Sequence, residues 1–459
     1  MSKFVIKPMK HHNSMDKSQA AEVWRCLARA IDEIYNRNAS SLSFEELYRF
    51  GYNLCMTKHG SYLYSQVAAI IRSHLIETQT KLVKILNNES LLIAVCESWS
   101  DHKLSTGLIK DVLMYMDNTF VKHQNLAPVF TLGLQLFRDE VIYHPEIRAR
   151  LQEELLASIA AERRGELIDH SQLRAVLSML SELSVCGAQV YEEEFETPFL
   201  STTRDHFQQL SLLYLSTHSV PDYLKLAEER LEEEAQRVTA YLAQSSEPKL
   251  RSLVETELLA AHVKTLLESD KLGAKQLFAE NNFNDLRRMY ALLSRIPLCL
   301  DLLRESMGQF IRLEGERILL DQSKNADPIL FMQLIFDLKA KFDTIIATCF
   351  QSDKKFTRRL KEALEDFINK DARCAGYLAT YVDNALKSSS GQMEEGQESM
   401  DRTFDKVMII FRYLNDKVME HNSLLIKSGT NHSYMTTGYL RELLSAVFGQ
   451  ETASRTELL

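Results

Sequence analysis

Thirteen histidines and 63 acidic residues will form acid/base pairs by chance, so spacing must decide whether any of them does chemistry. The chain contains no GxxxxGKS/T, GxGxxG, HExxH or GxSxG, which leaves a phosphate cradle, a zinc hydrolase and a nucleophile elbow without support. His11-His12 beside a polar start reads as a solvated pair, and His59 and His102 read as helix-end or surface residues rather than general bases. The paired Glu45-Glu46 is explained by a helix start, where carboxylates face the positive end of the dipole. Seven cysteines, at 26, 55, 96, 186, 299, 349 and 374, are odd in number, scattered and without a CxxC, as expected of buried thiols in a reducing compartment. No catalytic residue, cofactor or metal site is predicted. The residue types left over suit binding: Phe44, Tyr48 and Tyr52 lie at i, i+4 and i+8, and each ring offers an apolar body, two of them with a polar tip.

The stretch LSFEELYRFGY, Leu42 to Tyr52, must be a helix for those rings to align. Ser43 is a candidate N-cap and Glu46 can return the hydrogen bond in a capping box, with Leu42 and Leu47 spaced as a hydrophobic staple. At 100° per residue the apolar and aromatic positions, Phe50, Gly51 and Cys55 among them, cover an arc of about 200°, roughly twice what packing on one core requires. Leu47 and Leu54 would hold the helix on its own domain, leaving the aromatic line for a second surface. A helix buried among several neighbours would give the same pattern, and the pattern alone does not choose.

The surroundings read as all-α. Only 15 Gly and 8 Pro occur in 459 residues, against 45% apolar content, so turns are few, helices long and a packed core well supplied. A net charge of −9 and a pI near 5.9 argue against nucleic acid as the main partner, because phosphate recognition needs a basic face. No apolar run reaches membrane length and Phe4-Val5-Ile6 is too short for a signal peptide, so an intracellular protein, cytoplasmic and nuclear, is expected.

Helical spacing recurs from Val23 to Ile34 and over 62–77, 82–100, 105–123 and 129–143. His144-Pro145 opens a further helix that closes at Gly165. In VYEEEFETPFL, Val190 to Leu200, Pro198 reads as a breaker, and this acidic run, like RLEEEAQR further on, reads as solvated surface. Amphipathic helices follow from Pro221 and over 249–268, 284–294, 298–320 and 328–350, with Asp327-Pro328 as N-cap and N1. KSSSGQMEEGQES, Lys387 to Ser399, is the clearest linker, and one short helix is expected around Gly438 to Phe448.

LSFEELYRFGY followed by Lys58-His59-Gly60 resembles the second helix of the first repeat in the cullin family, in the branch that binds BTB-domain adaptors. VYEEEFETPFL, NNFNDLRRMYALLSRIP, FDLKAKFD and DKVMIIFRYLNDK resemble later cullin segments. The resemblance implies an elongated stalk of three five-helix repeats, over 18–145, 146–260 and 261–386, then a linker over 387–400 and the start of a cullin homology domain over 401–417. It covers roughly the first nine tenths of the chain and only the N-terminal half of a cullin; the tail from 418 to 459 resembles nothing placed. The implied role is a non-catalytic scaffold of a ubiquitin ligase. In the family the adaptor docks on the second and fifth helices of the first repeat, the fifth being KDVLMYMDNTF, Lys110 to Phe120, here. The docking positions then fall on Leu42, Ser43, Phe44, Glu45, Tyr48, Tyr52 and Phe120, with Phe120 where the family has tyrosine. The extension over 1–17, with Phe4, Val5 and Ile6, would add contacts. A RING subunit is doubtful as a partner, since its family binding region is not in this sequence. By composition alone a vesicle-tethering helical bundle would look alike, but such a tether has no reason to carry Leu42 to Tyr52 with Lys110 to Phe120.

Overall fold

The computed structural model describes residues 15–86, 91–321, 327–389 and 405–414, and every regular element among them is helical. The all-α expectation holds. None of the described helices is long and apolar enough to cross a membrane. Phe4, Val5, Ile6, the helix expected at Gly438 to Phe448 and the linker beyond Ser389 lie outside the described residues. Two compact units are formed, one from residues up to Gln209 with Leu231–Val254, the other from Leu210–Arg230 with Glu255 onward.

The first unit begins with α1 (Lys17–Tyr35), α2 (Phe44–Met56), α3 (Gly60–Lys84) and α4 (Leu91–Val112). A break at Leu113 is followed by Met114–Met116, a wider π turn Asp117–Val121 and Lys122–Gln124, together α5 (114–124). Next come α6 (Val129–Phe137, prolonged by the π turn Arg138–Ile142), α7 (Pro145–Arg163) and α8 (His170–Glu182). The chain continues through α9 (Thr197–Thr217), α10 (Val220–Ala240) and α11 (Glu247–Leu258). Helix α4 is central and packs on α1, α3, α6, α7 and α8. Its buried Val95, Trp99 and Ile109 meet a core to which α1 gives Leu27 and Ile31 and α3 gives Val67 and Ile71.

The helix boundaries reflect local chemistry. Asp16 and Gln19 complete a capping box at α1, while at α2 Ser43 accepts the Glu46 N–H at 3.5 Å and the return bond from Glu46 does not form. The box expected at Ser43 is thus half present. Pro145 stands at the start of α7 and Gly165, with φ +88°, just beyond its end, as the sequence implies. Asp327 caps its helix by accepting the Ile329 N–H at 2.9 Å. The expected helices at 82–100 and 105–123 are corrected to α4 and α5: Lys110 belongs to the last turn of α4, and the fifth helix starts only at Met114.

Pro198 breaks nothing. A π turn over Glu192–Glu196 precedes it and loosens the i to i−4 ladder where proline has no N–H to give, so α9 runs through. Nor are the acidic runs wholly surface. Glu194 and Glu196 are buried, Glu194 against Arg148 Nε at 2.5 Å and Glu196 against Lys249 Nζ at 2.5 Å and Ser246 Oγ at 2.6 Å. Glu234 and Arg237 of RLEEEAQR are buried too.

The second unit contains α12 (Val263–Glu268), α13 (Ala274–Glu280), α14 (Phe283–Leu293), α15 (Pro297–Leu320), α16 (Pro328–Cys349), α17 (Lys354–Ile368) and α18 (Arg373–Ser389). Helix α15 presses on α17 at Gly315, where a Cβ would come within 2.5 Å of the Phe367 ring. Rings of Phe278, Phe310, Phe342 and Phe350 fill its core with centroids 5.7–6.5 Å apart. Residues 405–411 form a last helical stretch that buries Ile410 and Phe411, and Asn369 Nδ2 donates to the Tyr413 carbonyl at 2.8 Å.

Candidate docking site

Helix α2 divides its sides sharply. Leu47, Gly51 and Leu54 are buried, and Leu47 faces an apolar interior lined by Leu27 and Ile31 of α1 and Ile109 of α4. Gly51 lets the helices approach: a Cβ there would lie 3.2 Å from Leu113 Cδ2. On the other side Phe44 is 54% exposed at the first turn, and Tyr48 and Tyr52 are half-buried. The Phe44 and Tyr48 rings lie stacked with centroids 6.3 Å apart. The line read from the sequence is therefore open along its length and most open at Phe44.

Tertiary packing extends it. Tyr52 meets Tyr115 of α5 with ring centroids 4.6 Å apart, and the Tyr115 hydroxyl donates to Met56 Sδ at 3.1 Å. Met56 and Met114 are 43% and 47% exposed, so the face continues from aromatic rings into thioethers. Helix α5 is aimed by Asp117 in its π turn, whose carboxylate accepts the Val129 N–H at 3.0 and 3.3 Å and so caps α6. Partial burial raises the Asp117 pKa, a rise that the Val129 N–H and Lys110 oppose.

The other sequence candidates are more varied in their surroundings. Leu42 is half-buried; Ser43 caps α2; Glu45 is exposed and pairs with Arg49 at 2.7 Å. Phe120 is half-buried and packs on the start of α3, where a Cβ at Gly60 would meet its ring at 2.7 Å. The ring beside Tyr52 is that of Tyr115. Sequence reasoning missed Tyr115, Met56 and Met114, although Tyr115 and Met114 lie inside the segment read as the fifth helix. Its register could not be extrapolated, because the break at Leu113 and the π turn both reset it. The described chain begins at Met15, whose carbonyl accepts from His59 Nε2 at 3.0 Å, so it starts beside the C-terminal end of α2.

His102, expected at the surface, is in the core: Nε2 donates to the Gly133 carbonyl at 2.9 Å, leaving Nδ1 to accept from Tyr35 Oη at 3.4 Å. Burial holds its pKa down to about 4 against that carbonyl's opposing pull. The cysteines are not uniformly buried as expected, for Cys26 and Cys186 are exposed, but burial pushes the Cys55 and Cys96 thiols up to about 11 and away from nucleophilic use. Among the described residues no group of three or more His, Cys, Asp or Glu could hold a metal ion.

The sequence matches the family model for the cullin alpha solenoid domain over residues 24–419. The chain belongs to the cullin family. It is 36% identical over 416 residues to Cullin-3 of Dictyostelium discoideum, 37% over 414 to Cullin-3A of Arabidopsis thaliana and 30% over 413 to Cullin-3 of Caenorhabditis elegans. These alignments take in 88–90% of this cullin chain and 53–56% of each relative, so the chain spans about half the length of the curated relatives it matches. Family membership sets this cullin chain apart from a tether that shares only its composition.

Proposed function

We propose that this chain serves as a scaffold of a ubiquitin ligase and binds BTB-domain substrate adaptors through α2 and α5 of a first cullin repeat over 18–145. The single observation carrying this reading is the split of α2: Leu47, Gly51 and Leu54 satisfy the core, while Phe44, with Tyr48 behind it, stays open to solvent. The exposed ring does not stand alone, since it stacks on Tyr48, and aromatic anchors of this kind dominate binding energy at protein interfaces. Similarity to Cullin-3 of several organisms supports the same reading. Such a scaffold acts by position. It raises the effective concentration of a held substrate near a loaded conjugating enzyme and contributes no bond-making group of its own.

Calorimetry against a BTB-domain adaptor tests the proposal. Phe44→Ala and Tyr48→Ala should each weaken binding by about 2 kcal/mol or more, with unchanged helical content by circular dichroism. A folded double variant that binds as tightly as the parent would rule the assignment out.

A further inference from the structure

We infer that Met56 is a sulfoxidation site through which a peroxide-class oxidant weakens partner binding at the α2–α5 face. The inference rests on the docking reading and adds a chemical control to it. The residue is 43% exposed at the end of α2, whereas Met116, Met179, Met289 and Met307 are completely buried, so an oxidant reaches the former and not the latter. What separates Met56 from the equally exposed Met114 is its partner: the Tyr115 hydroxyl donates to the Met56 sulfur at 3.1 Å, and the Tyr115 ring packs on Tyr52 with centroids 4.6 Å apart. The thioether is thus the outer support of two rings that continue the line begun by Phe44 and Tyr48.

The step is balanced. The sulfur gives two electrons to hydrogen peroxide, the O–O bond breaks, one oxygen forms the S–O bond, and the other leaves as water with both protons. The sulfoxide oxygen is a stronger acceptor than the sulfur. Formed on the lone pair that the phenol meets, it displaces that donor, and formed on the other, it draws the donor toward a new position, so the contact must rearrange in either epimer. Either Tyr115 turns from Tyr52, or the oxidised side chain swings away and leaves both rings unsupported. In both cases a flexible apolar contact becomes a polar one on a surface whose affinity depends on apolar rings. Thiols do not compete nearby, since burial pushes the Cys55 pKa up to about 11 and keeps that sulfur protonated.

The experiment treats the full chain with hydrogen peroxide, alone and saturated with a BTB-domain adaptor, and reads each methionine by peptide mass spectrometry. Met56 should gain one oxygen well before Met116, and the bound adaptor should protect it. Calorimetry on the oxidised chain should give an affinity about tenfold weaker, restored by methionine sulfoxide reductase, in keeping with loss of a thioether–aromatic support inside a hot spot. Met56→Leu should bind equally before and after peroxide, and Met114→Leu should remain sensitive. Oxidation of Met56 no faster than that of Met116, or a loss that tracks Met114 instead, overturns the site. An oxidised Met56 with unaltered affinity overturns the control but leaves the docking face standing. If the untreated chain fails to bind the adaptor, the docking reading falls and the control with it, whatever the mass spectrum records.

Discussion

Around Glu234 this protein buries charge, and around Phe44 it exposes aromatic rings, within one compact unit. Glu234, Arg163 and Arg237 are nearly inaccessible; Arg163 Nε reaches Glu234 at 3.0 Å, Arg237 Nη1 reaches it at 2.6 Å, and Arg237 Nε also reaches Glu162 at 2.9 Å. Thr203 takes a further bond from Arg163 at 2.9 Å, and the Arg163 guanidinium lies over the Phe199 and Phe207 rings. Burial would raise the Glu162 pKa, but hydrogen bonds from Tyr241 and Arg237 outweigh it and bring it below the usual range. Every charge there has a partner inside the fold. At the aromatic face the opposite holds, for Phe44 and Tyr48 touch each other and then water. The buried network is satisfied by partners within the fold; the exposed rings are the surface that we propose an adaptor covers. Disturbing the first should cost stability and spare binding, and disturbing the second should do the reverse.

The sharpest way to break this contrast is Glu234→Ala. It leaves Arg163 and Arg237 buried without their shared carboxylate and should cost about 3–5 kcal/mol in denaturant unfolding, with adaptor affinity per folded molecule unchanged. A binding loss in the folded fraction would mean the network also shapes the docking face. Next in size is acidification. His102 is held neutral, with its pKa about 4 when folded against 6.5 when exposed, so the unfolded chain binds the extra proton first. The associated stability is fully present above pH 6.5 and falls as the pH drops toward 4, by about 3 kcal/mol in total. His102→Gln should flatten stability between pH 6.5 and 4.5, and an unaltered slope would assign it to other groups.

Smaller effects sharpen the aromatic side. Tyr115→Ala should weaken adaptor binding by about 1–2 kcal/mol, and combined with Tyr52→Ala it should fall short of additivity because the two rings support each other. Strict additivity in calorimetry would separate them. Least of all, Arg49→Ala removes only an exposed pair with Glu45, 65% and 83% accessible, and should leave both unfolding and binding within error.

Much of the candidate site was legible in the sequence. Phe44, Tyr48, Leu47 and Leu54 fall on their observed sides because a helix repeats every 3.6 residues and Ser43 fixes where α2 starts. Inference failed across interruptions and for environments made by distant segments. Tyr115, which packs on Tyr52, was not singled out, since Leu113 breaks the helix and shifts the register of the residues after it. Glu194, Glu196 and Glu234 looked like solvent-facing carboxylates because their partners lie 46, 53 and 71 residues away in sequence. His102 looked exposed for the same reason: Tyr35 and Gly133, which satisfy its two nitrogens, come from α1 and α6.

The sequence by itself determined that this protein is built of helices, where most of them begin, and which side of α2 carries rings, because capping and periodicity act over a few residues. Tertiary structure alone decided which polar groups are hidden and which rings from a second helix join the first, because burial and contact depend on segments that only folding brings together.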